Sequence, residues 1–382
     1  MSRSVASVMI PNAVDRHYPA HLFGDTAKML EASGVVDYMQ TWDQLAFFWP
    51  PKLWNVENTP AAAVASDADS SPDAFVMSGY GLANAPSLGL GISTDSIRRG
   101  PAELAQTMLT LANITEGRAV LMMGAGEVKQ TRNYGWKRSQ GLDRMEDHFK
   151  ILRQFFHKDE PVNYQGKYWT MREAWLGTAK RFVPKIWALG GGPRLMDLAT
   201  GYADGFCSMV PFVKSTPEQW AATVAECKND LERKGRDPDE YEFALWFPML
   251  VHEDSDFVQR ALDNPLMKWI AAVCGRLNQA DWDSEGLEPA FPRDWHYALH
   301  MLPQQFSDAE VDDILGRVTH EMSARSWLHG SAKEVAAEIA DYVDAGATTV
   351  CLLDFGPMLL PLEEAATGLS RSIDVARILK GA

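Results

Sequence analysis

The chain has 382 residues, of which 46% are hydrophobic, and 36 basic against 51 acidic side chains give it a formal net charge of −15. It is long enough to bury a large core, and its negative charge repels nucleic acid because no basic block offsets it. The first apolar run is too short for a signal peptide, and no later run reaches about 18 residues, the length of a membrane span. We therefore expect a cytoplasmic protein that binds neither nucleic acid nor membrane.

Short apolar runs that end in turn residues alternate with segments of helical periodicity. They predict strands at 6–10, 36–42, 88–93, 119–124, 186–190, 205–209, 243–251 and 349–353. Helices are predicted at 20–33, 102–115, 142–156, 194–200, 217–234, 332–345 and 362–379. Helix ends are marked by Pro101 and Pro217 at first turns and by Gly34, Gly117, Gly235 and Gly346 past last turns.

Eight strands joined by helical crossovers indicate a parallel α/β fold. Closure into a (β/α)₈ TIM barrel, as one domain over 1–382, is the favoured arrangement, and an open doubly wound sheet is the alternative. Two insertions are predicted. Residues 44–71 follow the second strand, and residues 254–325 follow the seventh, so both lie where barrel enzymes build their sites.

Polar or glycine residues recur just past four neighbouring strands. They are Asp43 and Gln44 after the second strand, Ser93, Thr94 and Asp95 at the third, Gly124 to Glu127 after the fourth, and Gly190, Gly191, Gly192 and Pro193 after the fifth. The carboxyl ends of parallel strands converge on one mouth of a barrel. A cofactor site at that mouth is therefore predicted.

The types of these residues indicate their roles. Glycine allows backbone N–H groups at a helix start to approach a phosphate, although a tight turn would have the same sequence. Glu127 is a candidate proton donor, because partial burial raises the pKa of a carboxyl, or it acts at a helix start. Asp43 either orients a cofactor or neighbouring side chain, or caps a turn.

Metal and hydrolase chemistry have little support in the sequence. The four cysteines form no CxxC pair, and the two HxxxH pairs, His17 with His21 and His296 with His300, have no third ligand nearby. No Gly-x-Ser-x-Gly elbow occurs. We therefore expect neither a metal site nor a disulfide framework.

Four ordered motifs resemble the luciferase-like oxidoreductases, in particular their coenzyme F420-dependent branch. They are ISTDSIRRGP at 92–101, RAVLMMGAGE at 118–127, IWALGGGP at 186–193 and GYADGF at 201–206. The resemblance implies a barrel that binds a deazaflavin, with FMN as the alternative cofactor. It places Ser93 and Thr94 in a strand bulge, commonly with a non-proline cis peptide, behind the deazaflavin.

The same resemblance assigns the other site residues. Gly126 and the run from Gly190 to Pro193 would lie along the cofactor tail and phosphate, Asp43 near the cofactor ring, and Glu127 at the active site as its acid. Relatives that oxidise alcohols carry histidine where this chain has Gln44. Because an amide cannot accept a proton at useful pH, Gln44 favours reduction by hydride transfer and leaves the residue a hydrogen-bonding role.

Aromatic side chains near the strand ends are expected to form the substrate pocket. The expected walls are Phe47, Phe48, Trp49, Trp54, Trp136 and Trp246, with core packing as the alternative for each. They suggest an apolar or aromatic small-molecule substrate with an electron-poor carbonyl or other unsaturated group. Four cations, Arg98, Arg99, Lys129 and Arg132, are expected to attract the acidic cofactor tail.

Three functions are compatible with these residues. The favoured one is an F420-dependent oxidoreductase. The alternatives are an FMN-dependent monooxygenase of the same fold and a non-catalytic ligand-binding barrel. A homodimer is expected from the resemblance alone.

Overall fold

A computed structural model describes residues 6–9 and 15–382, with the side chains of residues 366 and 367 left out. The predicted first strand extends to residue 10, which lies outside the described residues. Eleven strands are present in the described part of the chain. Their bounds are β1 Ala6–Met9, β2 Tyr38–Trp42, β3 Gly89–Asp95, β4 Ala119–Gly124, β5 Val162–Gln165, β6 Thr170–Ala174, β7 Lys185–Leu189, β8 Gly205–Met209, β9 Glu242–Val251, β10 Leu328–Gly330 and β11 Thr349–Asp354.

Eight of these strands close a parallel barrel. The order is β9-β11-β1-β2-β3-β4-β7-β8, and β8 pairs back to β9, which closes the ring. All eight strands were predicted from the sequence, and the TIM-barrel prediction is confirmed over the open-sheet alternative. Outside the ring, β10 extends the sheet beside β9, and β5 and β6 form an antiparallel hairpin that the sequence analysis missed.

Helices cover the outside of the barrel and fill the long connections. They are α1 Ala20–Ala32, α2 Ala74–Asn84, α3 Pro101–Ile114, α4 Val128–Thr131, α5 Gly141–His157, α6 Pro193–Tyr202, α7 Pro217–Arg233, α8 Ser255–Leu262, α9 Pro265–Cys274, α10 Tyr297–His300, α11 Asp308–Arg317, α12 His320–Ala324, α13 Ala332–Asp344 and α14 Leu362–Lys380. Short 3₁₀ turns lie at Pro51–Leu53, Pro60–Ala63, Arg132–Tyr134, Arg138–Gln140, Pro238–Glu240, Gln279–Glu285, Pro303–Gln305 and Gly356–Leu359. No helix in residues 15–382 is long and apolar enough to cross a bilayer.

The helix ends follow the predicted signals. Pro101 and Pro217 occupy the first turns of α3 and α7. Past the ends of four helices, Gly34, Gly117, Gly235 and Gly346 have positive φ, a conformation that glycine adopts without strain.

Two apolar layers hold the barrel together. Helices pack on its outer face around residues such as Leu90, Phe149 and Phe243. The barrel interior is filled by a smaller set, Val8, Val120, Met122, Trp187, Cys207, Ala244, Trp246 and Cys351. Because these side chains fill the barrel, a ligand can enter only at an open end.

The two long connections share a third hydrophobic cluster over the carboxyl ends of the strands. Segment 43–73 contributes Phe47, Trp49 and Leu53, and the region from α8 to α12 contributes Trp269 and Met301 among others. Hydrogen bonds join them: the Trp49 indole donates to Leu266 O at 3.0 Å, and the Trp269 indole donates to Phe48 O at 2.8 Å. The two insertions therefore form one roof over the barrel mouth.

Candidate active site

A cavity of about 430 Å³ lies between the strand ends and this roof. Its volume is within the usual range for small-molecule and cofactor sites. The polar and glycine residues predicted to converge there do so: Asp43, Gln44, Ser93, Thr94, Gly126, Glu127, Gly190, Gly191, Gly192 and Pro193 all line it. The geometry thus brings the candidate residues together, while their roles remain predictions.

Asp43 is a buried carboxylate enclosed by cations and a hydroxyl. Thr94 Oγ1 donates to it at 2.7 Å, and Arg99 Nε donates at 2.8 Å. Arg98 Nη2 lies 3.3 Å from the same carboxylate. Burial alone would raise the pKa of Asp43, but the hydrogen bond from Arg99 and the charge of Arg98 more than offset it, so the pKa is lowered. Asp43 is therefore ionised and poorly suited to donate a proton.

The bulge and cis peptide expected at Ser93 and Thr94 are absent. Strand β3 continues in regular register through Thr94 to Asp95, which pair with Met123 and Gly124 of β4. In the described chain the single cis peptide is Val210–Pro211. The prediction was wrong because β3 is paired on both sides up to Ser93, and these ladders hold the strand extended.

Glu127 faces the cavity from the turn that precedes α4. Its carboxylate makes no capping hydrogen bond to that helix, and instead lies 2.7 Å from the ammonium of Lys129. Lys129 is fully buried, donates to Ala46 O at 2.9 Å and lies 4.1 Å from the centre of the Phe48 ring. Glu127 therefore lies at a helix start, as the alternative supposed, and its carboxylate also forms a partly buried ion pair with Lys129.

Gln130 fixes the loop after β2 against α4. Its side chain accepts from Leu45 N at 2.7 Å and donates to Ala46 O at 2.7 Å. These bonds hold the backbone immediately before Phe47 and Phe48, which line the cavity. Gln130 was not singled out from the sequence.

Glycine residues form another part of the cavity lining. Gly126 has φ +84°, and an added Cβ would lie 2.9 Å from Ile97, so a side chain would be strained there. At Gly192, the residue that caps α6, an added Cβ would meet nothing within 4 Å. A ligand can therefore approach this backbone. Pro193, the first residue of α6, has no N–H, so the groups of the first turn that are available to an anion are the N–H groups of Arg194 and Leu195.

The aromatic walls are only partly as expected. Phe47, Phe48 and Trp246 line the cavity. Trp49 packs behind this wall, where it is 2% exposed, and Trp54 donates to Ala65 O, so both belong to the roof. Trp136 lies on the outer surface, 38% exposed, beside Tyr134. Assigning Trp49 and Trp136 to the substrate pocket was wrong, because a bond to the distant Leu266 holds Trp49 behind the wall and Trp136 lies on the outer surface.

Trp42 also lines the cavity, although the sequence predicted only that it ends a strand. Its ring stacks on Trp246 with centroids 5.7 Å apart. The indole nitrogens of both tryptophans are buried without a hydrogen-bond partner, as are Gln44 Oε1 and Ser208 Oγ. These unpartnered atoms line a cavity, which is where a ligand would satisfy them.

The cations expected to attract a cofactor tail are mostly bound within the protein. Arg98 and Arg99 pair with Asp43, and Lys129 pairs with Glu127. Arg132 is exposed and does not line the cavity. Carboxylates of the protein thus compensate the charges of Arg98, Arg99 and Lys129, and attraction of a cofactor tail by these cations stays a prediction.

Three further polar residues of the cavity came from segments without a clear pattern. Arg138 lies in a 3₁₀ turn after α4, and His296 and Tyr297 begin α10 in the second insertion. His296 was considered only as half of a metal pair with His300. The structure gives it another role: His296 Nδ1 accepts from Ala298 N at 3.1 Å and caps α10. In the described chain no cluster of potential ligands could hold a metal ion.

Tyr297 lies beside Glu127. Burial first, and then the charge of Glu127 and a hydrogen bond to it, raise the pKa of Tyr297 well above its ordinary value. For His296, burial and the nearby charge of Arg138 lower the pKa. Both side chains are therefore neutral near pH 7, and each keeps a proton that it can donate.

A closed (β/α)₈ barrel with these groups around a cavity at the carboxyl ends of its strands is the arrangement of a barrel enzyme. A family model for luciferase-like monooxygenases matches residues 17–349. The chain belongs to this luciferase-like family of oxidoreductases, as its motifs indicated.

Relatives in this family carry out different reactions. The phthiodiolone/phenolphthiodiolone dimycocerosates ketoreductase of Mycobacterium kansasii is 26% identical over 328 residues, which cover 84% of this chain and 86% of the ketoreductase. An F420-dependent secondary alcohol dehydrogenase, solved with an F420-acetone adduct, superposes with a TM-score of 0.69 at 21% identity, over 97% of this chain and 99% of the other. The EDTA monooxygenase of Chelativorans sp. BNC1 gives a TM-score of 0.63 at 15% identity, over 99% and 94%. The two structures show the shared fold.

Proposed function

We propose that the protein is an F420-dependent oxidoreductase that reduces an electron-poor carbonyl or other unsaturated group of a largely apolar or aromatic substrate. The observation that carries the proposal is the presence, in one cavity, of an open glycine backbone at Gly192 and of the Glu127–Tyr297 cluster. The ketoreductase and the F420-dependent dehydrogenase among its relatives support the choice of reaction and cofactor.

The lining residues fit a deazaflavin. Trp42 Nε1, Gln44 Oε1 and Ser208 Oγ are buried without partners, as expected where a ring rich in oxygen and nitrogen binds. The open backbone at Gly192 and the start of α6 fit a phosphate. When bound in its reduced form, the cofactor supplies a hydride.

The protein itself positions the substrate and supplies a proton to its carbonyl oxygen. The apolar rings of Trp42, Phe47 and Trp246 exclude water and hold the substrate in a fixed orientation. A carbonyl carbon that accepts a hydride leaves an oxygen that must gain a proton. The Tyr297 phenol transfers its proton to that oxygen. The Glu127 carboxylate, which is hydrogen-bonded to Tyr297 and whose side chain is 24% exposed, then relays a replacement proton from solvent to the phenolate.

Substitution of the proton-transfer pair tests this assignment. We expect Glu127→Gln and Tyr297→Phe each to lower kcat for ketone reduction by about 10²-fold, the usual size of a general acid's contribution. Oxidation of reduced F420 by a panel of aromatic ketones gives the rate, and fluorescence titration gives cofactor affinity. Tyr134→Phe, an exposed phenol outside the cavity, is the matched control. Undiminished turnover in both cavity variants would exclude these roles.

An FMN-dependent monooxygenase is the second candidate, because the family includes monooxygenases and one of them shares the fold. It differs in cofactor, since a reduced flavin would have to react with oxygen. Binding of the two cofactors therefore separates the candidates.

A further inference from the structure

The charged side chains that line the cavity are compensated, with one exception. The compensated ones are Asp43 with Arg98 and Arg99, Asp95 with Arg98, Glu127 with Lys129, and Arg194 with Asp143 and Glu146. Arg138 lines the same cavity and forms no ion pair with any residue in the described part of the chain, and its Nε is buried without a hydrogen-bond partner. The cavity therefore contains one uncompensated positive charge.

This charge is held in place at an energetic cost. Burial lowers the pKa of Arg138, although Tyr297, Glu127 and Asp95 act in the other direction. A guanidinium nonetheless stays protonated at any useful pH. A partly buried cation with no counter-ion is unfavourable in the free protein, and an anionic ligand would remove that penalty.

The neighbours of Arg138 supply hydrogen-bond donors. His296 accepts from Ala298 N through Nδ1, so its neutral ring carries the proton on Nε2. Tyr297 keeps its phenolic proton. Arginine presents a planar fork of N–H groups that matches the two oxygens of a carboxylate. The cluster therefore has the chemistry of a carboxylate site.

We propose that Arg138, assisted by His296, binds a carboxylate of the substrate, so that the substrate is a keto acid or unsaturated acid with an apolar or aromatic body. The reaction named here rests on the proposed function, whereas the binding site does not. The acidic tail of a deazaflavin cofactor offers the same chemistry, and the experiment must distinguish the two sources.

Calorimetric titration of the cofactor-free and F420-loaded protein tests the site with benzoylformate and its neutral isostere, benzoylformamide. We expect the carboxylate to bind at least about tenfold more tightly than the amide, the effect of a charge-assisted hydrogen bond. In Arg138→Met this preference should disappear. In Arg194→Met, which removes a compensated arginine of the same cavity, it should persist.

A second titration compares F420 with the deazaflavin chromophore that lacks the phosphate and acidic tail. Unchanged F420 affinity in Arg138→Met supports the substrate assignment. Loss of F420 affinity in that variant, with binding of the short chromophore unchanged, would assign the site to the cofactor tail and overturn it. Equal binding of acid and amide by the unsubstituted protein would overturn the carboxylate site.

These outcomes are separate from those that bear on the proposed function. Selective, Arg138-dependent binding of benzoylformate together with no affinity for F420 would reject the proposed cofactor and leave the carboxylate site in place. Ketone reduction with reduced F420 but no preference for the acid would support the proposed cofactor and overturn the carboxylate site.

Discussion

The two polar walls of the cavity differ in how their charges are compensated. On one wall, Asp43 is enclosed by Arg98, Arg99 and Thr94, and its pKa is lowered. On the other, Arg138 has no ion pair within the described residues, while His296 and Tyr297 beside it keep their protons. The first wall comes from barrel strands and the turn after β3, and the second from α10 and the turn after α4.

The difference indicates that the first wall stabilises the fold and the second binds the ligand. The charge and hydrogen bonds of a buried, compensated carboxylate are satisfied within the protein, without a ligand. The Asp43 wall is therefore suited to hold neighbouring groups in position. On the second wall, the unpaired donor of Arg138 is satisfied only when a ligand is bound. We therefore expect substitutions on the first wall to change stability and substitutions on the second to change binding.

The largest expected effect is on the Asp43 wall. Asp43→Asn should lower the free energy of unfolding by about 3–5 kcal/mol, because it breaks the buried pairs with both Arg98 and Arg99, which keep Asp95 and the more exposed Asp73 as their remaining partners. Urea unfolding measures the change. Asp73→Asn removes the second, more exposed partner of Arg99 and should cost less than about 1 kcal/mol. Equal losses in the two variants would show that the Asp43 pairs do not stabilise the fold.

A buried carboxyl outside the cavity is expected to make the stability of the protein fall as the pH rises. Asp354, at the end of β11, accepts from Gly356 N and Ser372 Oγ, and burial raises its pKa to about 7 from an ordinary value of 3.8. Its contribution to stability is therefore complete below about pH 4 and is lost as the pH rises to about 7, by up to about 4 kcal/mol for a shift of about three units.

Unfolding measured between pH 4.5 and 7.5 checks this sign. Asp354→Asn, whose amide cannot ionise, should lack the decline seen in the unsubstituted protein. The same decline in both proteins would mean that Asp354 does not titrate in this range. The Asp43 pairs act in the other direction, because their contribution is lost as the pH falls.

A smaller effect is expected at the glycine backbone. In Gly192→Ala the added methyl group meets no protein atom, so stability should change by no more than about 0.5 kcal/mol. If the cofactor phosphate lies there, its affinity should fall about tenfold, since the methyl group would occupy its space. Unchanged affinity in fluorescence titration would place the phosphate elsewhere.

The smallest expected effect is on stability at the second wall. Arg138→Met removes an uncompensated cation and should change the free energy of unfolding by less than about 1 kcal/mol, in either direction. Urea unfolding in parallel with Asp43→Asn makes the comparison direct. A loss as large as that of Asp43→Asn would mean that Arg138 is structural and that the two walls do not differ as described.

The barrel strands and the residues at the ends of four of them could be predicted, because the sequence features that mark them lie within a few residues of one another. Strand ends such as Gly190–Pro193 carry glycine and proline within a few residues of an apolar run. The regular register of β3 at Ser93 could not be foreseen, since it depends on pairing with β2 and β4. Resemblance to the family supplied an expectation there that this chain does not meet.

The roof was predicted least well because its contacts are distant in sequence. Trp49 is directed away from the cavity by a bond to Leu266, 217 residues further along the chain. His296 and Tyr297 lie in an insertion with no periodic pattern. An HxxxH spacing drew attention to His296 alone, and nothing in the sequence indicated Tyr297. Aromatic or basic composition identified candidates, but it could not indicate which of them face the cavity.

Binding of the two cofactors tests the central claim most directly. The purified protein is titrated with F420 and with FMN while cofactor fluorescence is followed. We predict saturable binding of F420, weakened in Gly192→Ala, and at least about tenfold weaker binding of FMN. Tight binding of FMN without binding of F420 would contradict the account and favour the monooxygenase.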